Sequence, residues 1–488
     1  MLTIDDLPDD VLLEIFDFCV FKYQDLGFPQ LNEFGTMIKK RDKIESWQSL
    51  VHVSRRWRCL VFGSPRRLSL QIRCFTPGLS ARKTFPVDVW PALPILIEGD
   101  VSEWSAHDVI AKLEHSDRIR QIDLDFFKPT TSQLENLWAA MQIPFPELAG
   151  LYLSFGDSQY GPTLPDSFLG GSAPHLRYFY LHGIPFPGLP KLLLSATHLV
   201  ELRLKDIPHF GYISPEAMVS CLSTNLERLQ LEFDPRYPPQ SHPDLKTRRP
   251  FPPTRSVLPA LTKFSFRGVS DYLQEFVARI DAPQLCRLSI IFHDNDFKAP
   301  DLNQFIGRTP TLGQYDEACL IFLQHEVLVR LCQSHPERPC RRMVEVKLLC
   351  TTPRQQLSSI SSLAQICTVS LRPLLTMENL YILGKCSPLI TIWGDNTIWL
   401  RLLFPFTAVK NLYVCYKFTQ RTAYALQELT ERRTTEVLPA LQNVFLEEYH
   451  EWEPAGKVIA RFISARQLIN RPVVISDWYE SWQWLDRL

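Results

Sequence analysis

Along most of this chain apolar residues return at i, i+3 and i+5, with a polar or aromatic residue between the last two. The pattern occurs at Ile119-Ile122-Leu124, Leu148-Leu151-Leu153, Leu176-Phe179-Leu181, Leu199-Leu202-Leu204, Leu226-Leu229-Leu231, Leu261-Phe264-Phe266 and Leu285-Leu288-Ile290, at spacings of roughly 23 to 35 residues. Weaker copies follow at Met343-Val346-Leu348, Ile366-Val369-Leu371, Val409-Leu412-Val414 and Leu441-Val444-Leu446. Side chains alternate across a strand, so the last two apolar residues share one face and the residue between them faces the other way. A single unit cannot cover its own apolar side, and stability then comes from stacked neighbours.

Between the strands the chain must climb back through a helix or loop. Ser214-Pro215-Glu216-Ala217-Met218-Val219 carries a serine cap and a proline at the first helical position, and Asp271 to Val277 reads as another helix. Arg66 to Ile72 alternates like a half-buried strand, the apolar run Pro91 to Ile97 reads as a buried one, and Val109 to Leu113 as a short helix. Ala318 to Phe322 and Val327 to Leu331 suggest a hairpin. Gln355 to Leu371, with Leu357, Ile360 and Leu363 at helical spacing, suggests a surface helix, and residues 235–259 form a basic proline-rich excursion. From about 455 to 488, Phe462-Ile463, Leu468-Ile469, Trp478, Trp482 and Trp484 suggest a closing cap.

The first sixty-odd residues follow a different rule. Pro8 suits a helix start, Asp9 and Asp10 place negative charge at the positive end of the helix dipole, and Val11, Leu12, Ile15, Phe16 and Cys19 make a broad apolar stripe behind them. Ser46 can cap a second helix carrying Trp47, Leu50 and Val51, and Val53, Trp57, Leu60 and Val61 continue to a stop at Gly63-Ser64-Pro65. A small helical bundle is expected.

Leu7-Pro8, the Val11 to Phe16 helix, and Val53 followed by Arg55-Arg56-Trp57-Arg58 resemble the F-box, the adaptor-binding module of Skp/cullin/F-box ubiquitin ligases, in the manner of the expanded fungal F-box families. Ser54 stands where that family usually has cysteine, and the segment 20–46 is an insertion. The repeated apolar pattern resembles leucine-rich repeats, although Gly156, Ile184, Ile207 and Asp234 occupy the place of that family's asparagine ladder. The resemblances imply an α/β chain: a helical F-box domain over 1–65, then a leucine-rich-repeat-like α/β solenoid with irregular units over 66–488. They further imply a substrate receptor, with Leu7, Pro8, Val11, Leu12, Ile15, Val53 and Trp57 on a Skp-type adaptor, and through it a cullin. An unknown target protein would meet the row Tyr152, Tyr178, Tyr180, Glu201, Arg203, Arg228 and Gln230. The alternative is a non-catalytic repeat scaffold outside any ligase.

Composition narrows the rest. Hydrophobic residues at 45% and charged residues at 22% are ordinary for a folded protein, and 52 basic against 53 acidic side chains give no global field for nucleic acid. Twelve cysteines lie without paired spacing and no asparagine begins a glycosylation sequon, so no oxidising compartment is implied. Asp5, Asp6, Asp9 and Asp10 are unlike a secretory leader. The expectation is a soluble cytoplasmic or nuclear chain, without membrane or nucleic-acid partner. Phosphate-loop, nucleophile-elbow and zincin motifs are missing; Gly384-Lys385 and Gly456-Lys457 lack the first glycine and the following serine or threonine. Cys332, His335 and Cys340 fall one short of a zinc set, and His450 amid Glu447, Glu448, Glu451 and Glu453 reads as a solvated acidic face. No catalytic residue, metal or cofactor is expected from sequence.

Overall fold

The computed structural model describes residues 4–19, 46–65, 67–68, 70–75, 92–102, 105–127, 129–155, 161–235, 255–293, 300–313, 315–333, 342–350, 353–369, 371–384, 396–415, 418–419, 437–447, 454–468 and 470–478. The insertion 20–46 short of its final residue, most of the proline-rich segment, His335, Cys340, His450, Trp482 and Trp484 lie outside them. The chain divides into two compact units, one up to Tyr212 and one from Ile213.

The first unit opens on three helices, α1 (Asp9–Cys19), α2 (Ser46–Val51) and α3 (Arg55–Gly63). The Pro8 carbonyl accepts the first helical bond, from the Leu12 N–H at 3.0 Å, so Pro8 caps α1 and does not begin it. Ser54 does the same for α3 with its side chain, its Oγ accepting from the Trp57 N–H at 3.2 Å. Leu12 and Phe16 of α1 are fully buried, and Phe16 packs on Trp57 with ring centroids 4.7 Å apart. Trp47 ties the bundle to the start of the sheet, its indole N–H donating to the Gln71 carbonyl at 3.2 Å.

Six parallel strands come next in sequential order: β1 (Ile72–Phe75), β2 (Ile95–Val101), β3 (Ile119–Phe126), β4 (Gly150–Phe155), β5 (Tyr178–His182) and β6 (Glu201–Ile207). The return legs hold α4 (Ala106–Leu113), α5 (Thr131–Ala140) and α6 (Leu189–Ser195). Register aligns the repeated leucines into rows, Ile97, Ile122, Leu151, Phe179 and Leu202 in one, and Leu124, Leu153, Leu181 and Leu204 in the next. All are buried, each worth about 1.5–3 kcal/mol relative to exposure. The predicted strand Arg66 to Ile72 is corrected: pairing starts only at Ile72, because Leu68 and Leu70 sit in turns anchored by Ser64 and Pro65 carbonyls.

The second unit begins with α7 (Pro215–Cys221), capped by Ser214 as its sequence predicts, and β7 (Arg228–Phe233). A two-residue pair β8 (Ser256–Val257) and β10 (Ile280–Asp281) flanks β9 (Lys263–Gly268) and α8 (Ser270–Ala278), followed by β11 (Arg287–Phe292) and α9 (Pro300–Arg308). The hairpin expected near 318–331 is present as β12 (Glu317–Phe322) and β13 (Glu326–Cys332), antiparallel, with β14 (Met343–Leu349) antiparallel to β13. Then come α10 (Pro353–Val369), β15 (Asn379–Gly384), α11 (Asn396–Leu403), β16 (Asn411–Val414), β17 (Asn443–Glu447), α12 (Pro454–Leu468) and β18 (Val474–Trp478). The main sheet of this unit runs β7-β9-β11-β14-β13-β12-β15-β16-β17-β18, so only β13 opposes the common direction.

One predicted repeat is misplaced. Ile366-Val369-Leu371 lies on and just past α10, and the strand of that unit is β15, built on Leu380 and Ile382. Residues three apart also share a helix face, and Ile360, Leu363, Ile366 and Cys367 use that spacing to bury against the sheet side of the unit.

Candidate functional site

The face opposite the leucine rows carries the candidate target-binding residues, and in the first unit it is not an open solvated surface. Tyr152 and Tyr180 are register partners and both are buried, with Tyr178 packed against them. Gly150, two residues before Tyr152 on the same face, leaves the space the ring occupies: a Cβ there would meet the ring edge at 3.2 Å. Arg203 continues the row from Tyr180 and donates its Nε–H to Glu201 Oε1 at 2.6 Å, beside a second contact from Nη2; Glu201 is fully buried. The Arg177 guanidinium lies 5.6 Å from the Tyr178 ring centroid. Burial, then Asp123, Glu201 and Tyr178, push the Tyr152 phenol well above its ordinary range, against Arg203. Glu98 and Asp123 are in register, as are Asp100 and Asp125, so carboxylates gather on the β2–β3 side of this face.

At the carboxyl ends of the same strands stands a three-residue line that sequence spacing could not reveal. Ser154 Oγ lies 3.2 Å from His182 Nδ1, and His182 Nε2 lies 2.8 Å from Asp206 Oδ2. Ser154 and His182 are register partners on β4 and β5, Asp206 is on β6, and its φ of 47° places it in the left-handed region.

Arg228 and Gln230 belong to the second unit, in register with Lys263 and Ser265; Gln230 donates to Glu232 on its own strand. The candidate residues thus belong to two units. The second unit carries a different device, which sequence reading missed. Asn379, Asn411 and Asn443 open β15, β16 and β17, and the amides of Asn411 and Asn443 each donate to the preceding asparagine's Oδ1 at 2.8 Å. Two residues on, Tyr381, Tyr413 and Phe445 stack at centroid distances of 4.4 and 4.5 Å, with Trp478 edge-on to Tyr413 at 5.4 Å. The signal was a 32-residue repeat of Asn, aliphatic, aromatic, aliphatic.

The predicted adaptor residues sort by exposure. Leu12 and Trp57 are buried within the helices and serve their packing; Leu7 and Ile15 are half-buried, while Pro8, Val11 (39%) and Val53 (60%) are exposed. Phe18, at 90% exposure, was not foreseen, yet Val11, Ile15 and Phe18 fall at i, i+4 and i+7 on one side of α1. The arginine run is used internally: Arg56 donates to Asp9 Oδ1 and to the Leu7 carbonyl, each at 2.6 Å, and Arg58 to the Val51 carbonyl at 3.0 Å. Among the described residues no group of three metal-binding side chains occurs, and no helix is long and apolar enough to cross a membrane.

No protein-family model matches the chain, and no curated protein does. Among solved structures it is similar to the leucine-rich repeat-containing protein LegL7 from Legionella pneumophila, at 14% identity over 83% of this chain and 99% of that one, with a TM-score of 0.28. The leucine-rich-repeat-like character rests on this chain's own rows of register, within each unit.

Proposed function

We propose that the chain is a receptor in ubiquitin transfer that leaves the chemistry of that transfer to other subunits: its N-terminal helices dock a Skp-type adaptor, and its repeat units hold a target protein. The observation that supports this is the second apolar stripe of α1. One stripe, Leu12, Leu13 and Phe16, is buried; on the other, Val11 and Phe18 are exposed and Ile15 half-buried, and Pro8 and Val53 are exposed as well. Exposed apolar side chains gathered on one helix face mark an interaction surface. The receptor would contribute effective concentration, making transfer to a held target in effect intramolecular.

Co-purification with a Skp-type adaptor tests this, with Val11→Asp/Phe18→Asp as the variant, since both side chains are exposed, and a thermal melt checking that the variant is folded. Complex formation by the wild type alone supports the reading. A second reading, a repeat scaffold capped by these helices, draws on Trp47 and on the Arg67–Glu14 ion pair, which tie the helices into their own unit. Absence of any complex with the wild type favours that one.

A further inference from the structure

Beyond binding, we infer that Ser154, His182 and Asp206 form a nucleophilic acyl-transfer site on the first unit. An Asp carboxylate only accepts hydrogen bonds, so in the neutral ring the proton sits on Nε2, facing Asp206 at 2.8 Å. That leaves the Nδ1 lone pair facing Ser154 Oγ at 3.2 Å. Nucleophile, base and orienting carboxylate are in sequence, the arrangement that activates a serine hydroxyl; the ring is used with its two nitrogens in the reverse of their order in the serine proteases. Asp206 reaches the ring from a left-handed backbone conformation, one that aspartate adopts more readily than most residues. All three side chains lie at the carboxyl ends of neighbouring parallel strands.

In the first step Ser154 Oγ bonds to the carbonyl carbon of an ester as its proton passes to His182 Nδ1, and the carbonyl π pair moves onto oxygen. That pair returns as the carbon–alkoxide bond breaks, and the leaving alcohol takes the proton from Nδ1. Water then repeats the sequence on the acyl-serine, releasing the carboxylic acid and restoring the hydroxyl. Asp206 stabilises the transient imidazolium in both halves. The surroundings select the substrate class: Asp125 is in register with Ser154 and Asp100 with Asp125, while Lys205 is in register with His182. An acyl ester with a cationic group toward β3 and its carbonyl oxygen toward Lys205 fits this polarity.

The test uses the full chain with a fluorophosphonate probe, the labelled residue being mapped by peptide mass spectrometry. Labelling at Ser154, lost in Ser154→Ala and at least tenfold slower in His182→Gln, is expected. No labelling of the wild type, labelling at another serine, or a rate unchanged in His182→Gln overturns the site; the wild-type mapping decides this even if a variant fails to fold. A thiocholine ester should be hydrolysed at least fivefold faster than the neutral ethyl thioester of the same acid. Equal rates overturn the cationic substrate class.

Discussion

Arg330 and Glu345 face each other across the antiparallel pair β13–β14, and the guanidinium gives one carboxylate oxygen two hydrogen bonds, of 2.8 and 2.6 Å. Both side chains are nearly buried. Burial opposes the arginine's charge, but Glu345 outweighs it and holds the guanidinium's pKa above its ordinary value. Replacing Glu345 by alanine leaves that cation buried without its carboxylate, at a cost of about 3–5 kcal/mol. An Arg330→Met/Glu345→Leu double variant should lose much less, and comparing the two by denaturant unfolding checks it.

On α1 two neighbouring residues should behave oppositely. Leu12→Ala removes a fully buried side chain and should cost about 2–5 kcal/mol of stability. Phe18→Ser should leave the melting curve in place and weaken adaptor binding at least tenfold, about 1.4 kcal/mol. A titration calorimetry measurement beside a thermal melt separates them; equal adaptor affinity in Phe18→Ser counts against docking on this stripe.

Asn411 is the middle rung of its ladder, donating to Asn379 and accepting from Asn443. Alanine there breaks both bonds and should cost about 1–3 kcal/mol. Hydrogen exchange should report faster opening of β15 to β17.

Tyr152 predicts an alkaline weakness. Its folded-state pKa is raised, chiefly by burial, above an unfolded value of about 10. Below that pH both states keep the proton and nothing changes; above it the unfolded chain ionises while the folded one resists. Stability should therefore fall by up to about 1.4 kcal/mol per pH unit from this group. Tyr152→Phe should flatten the decline measured by unfolding between roughly pH 10 and 11.5.

The leucine rows were legible in the sequence because alternate burial leaves a period that few other structures produce. The Ile366 to Leu371 segment misled because i and i+3 are neighbours on a helix as well. For α1 the pattern gave the breadth of the apolar surface but could not say which half its own neighbours would cover: Leu12 is buried and Phe18 exposed. The asparagines open their strands, whereas the leucine-rich-repeat pattern places its asparagine after them. Ser154, His182 and Asp206 stand 28 and 24 residues apart and meet only through register.

The hairpin of β12 and β13 changes how the second unit can be assembled. Outside this hairpin and β15, which docks on β12, each strand of the sheet docks beside its predecessor in the sheet, so structure can grow as the chain leaves the ribosome. Here β11 has no outer neighbour until β14 is synthesised, and β12 lies beyond two positions that the chain fills by working backwards. The stretch from Glu317 to Leu349 must close as one stitch. A lineage could lengthen or shorten this array by one repeat at many joints, but not within that stitch.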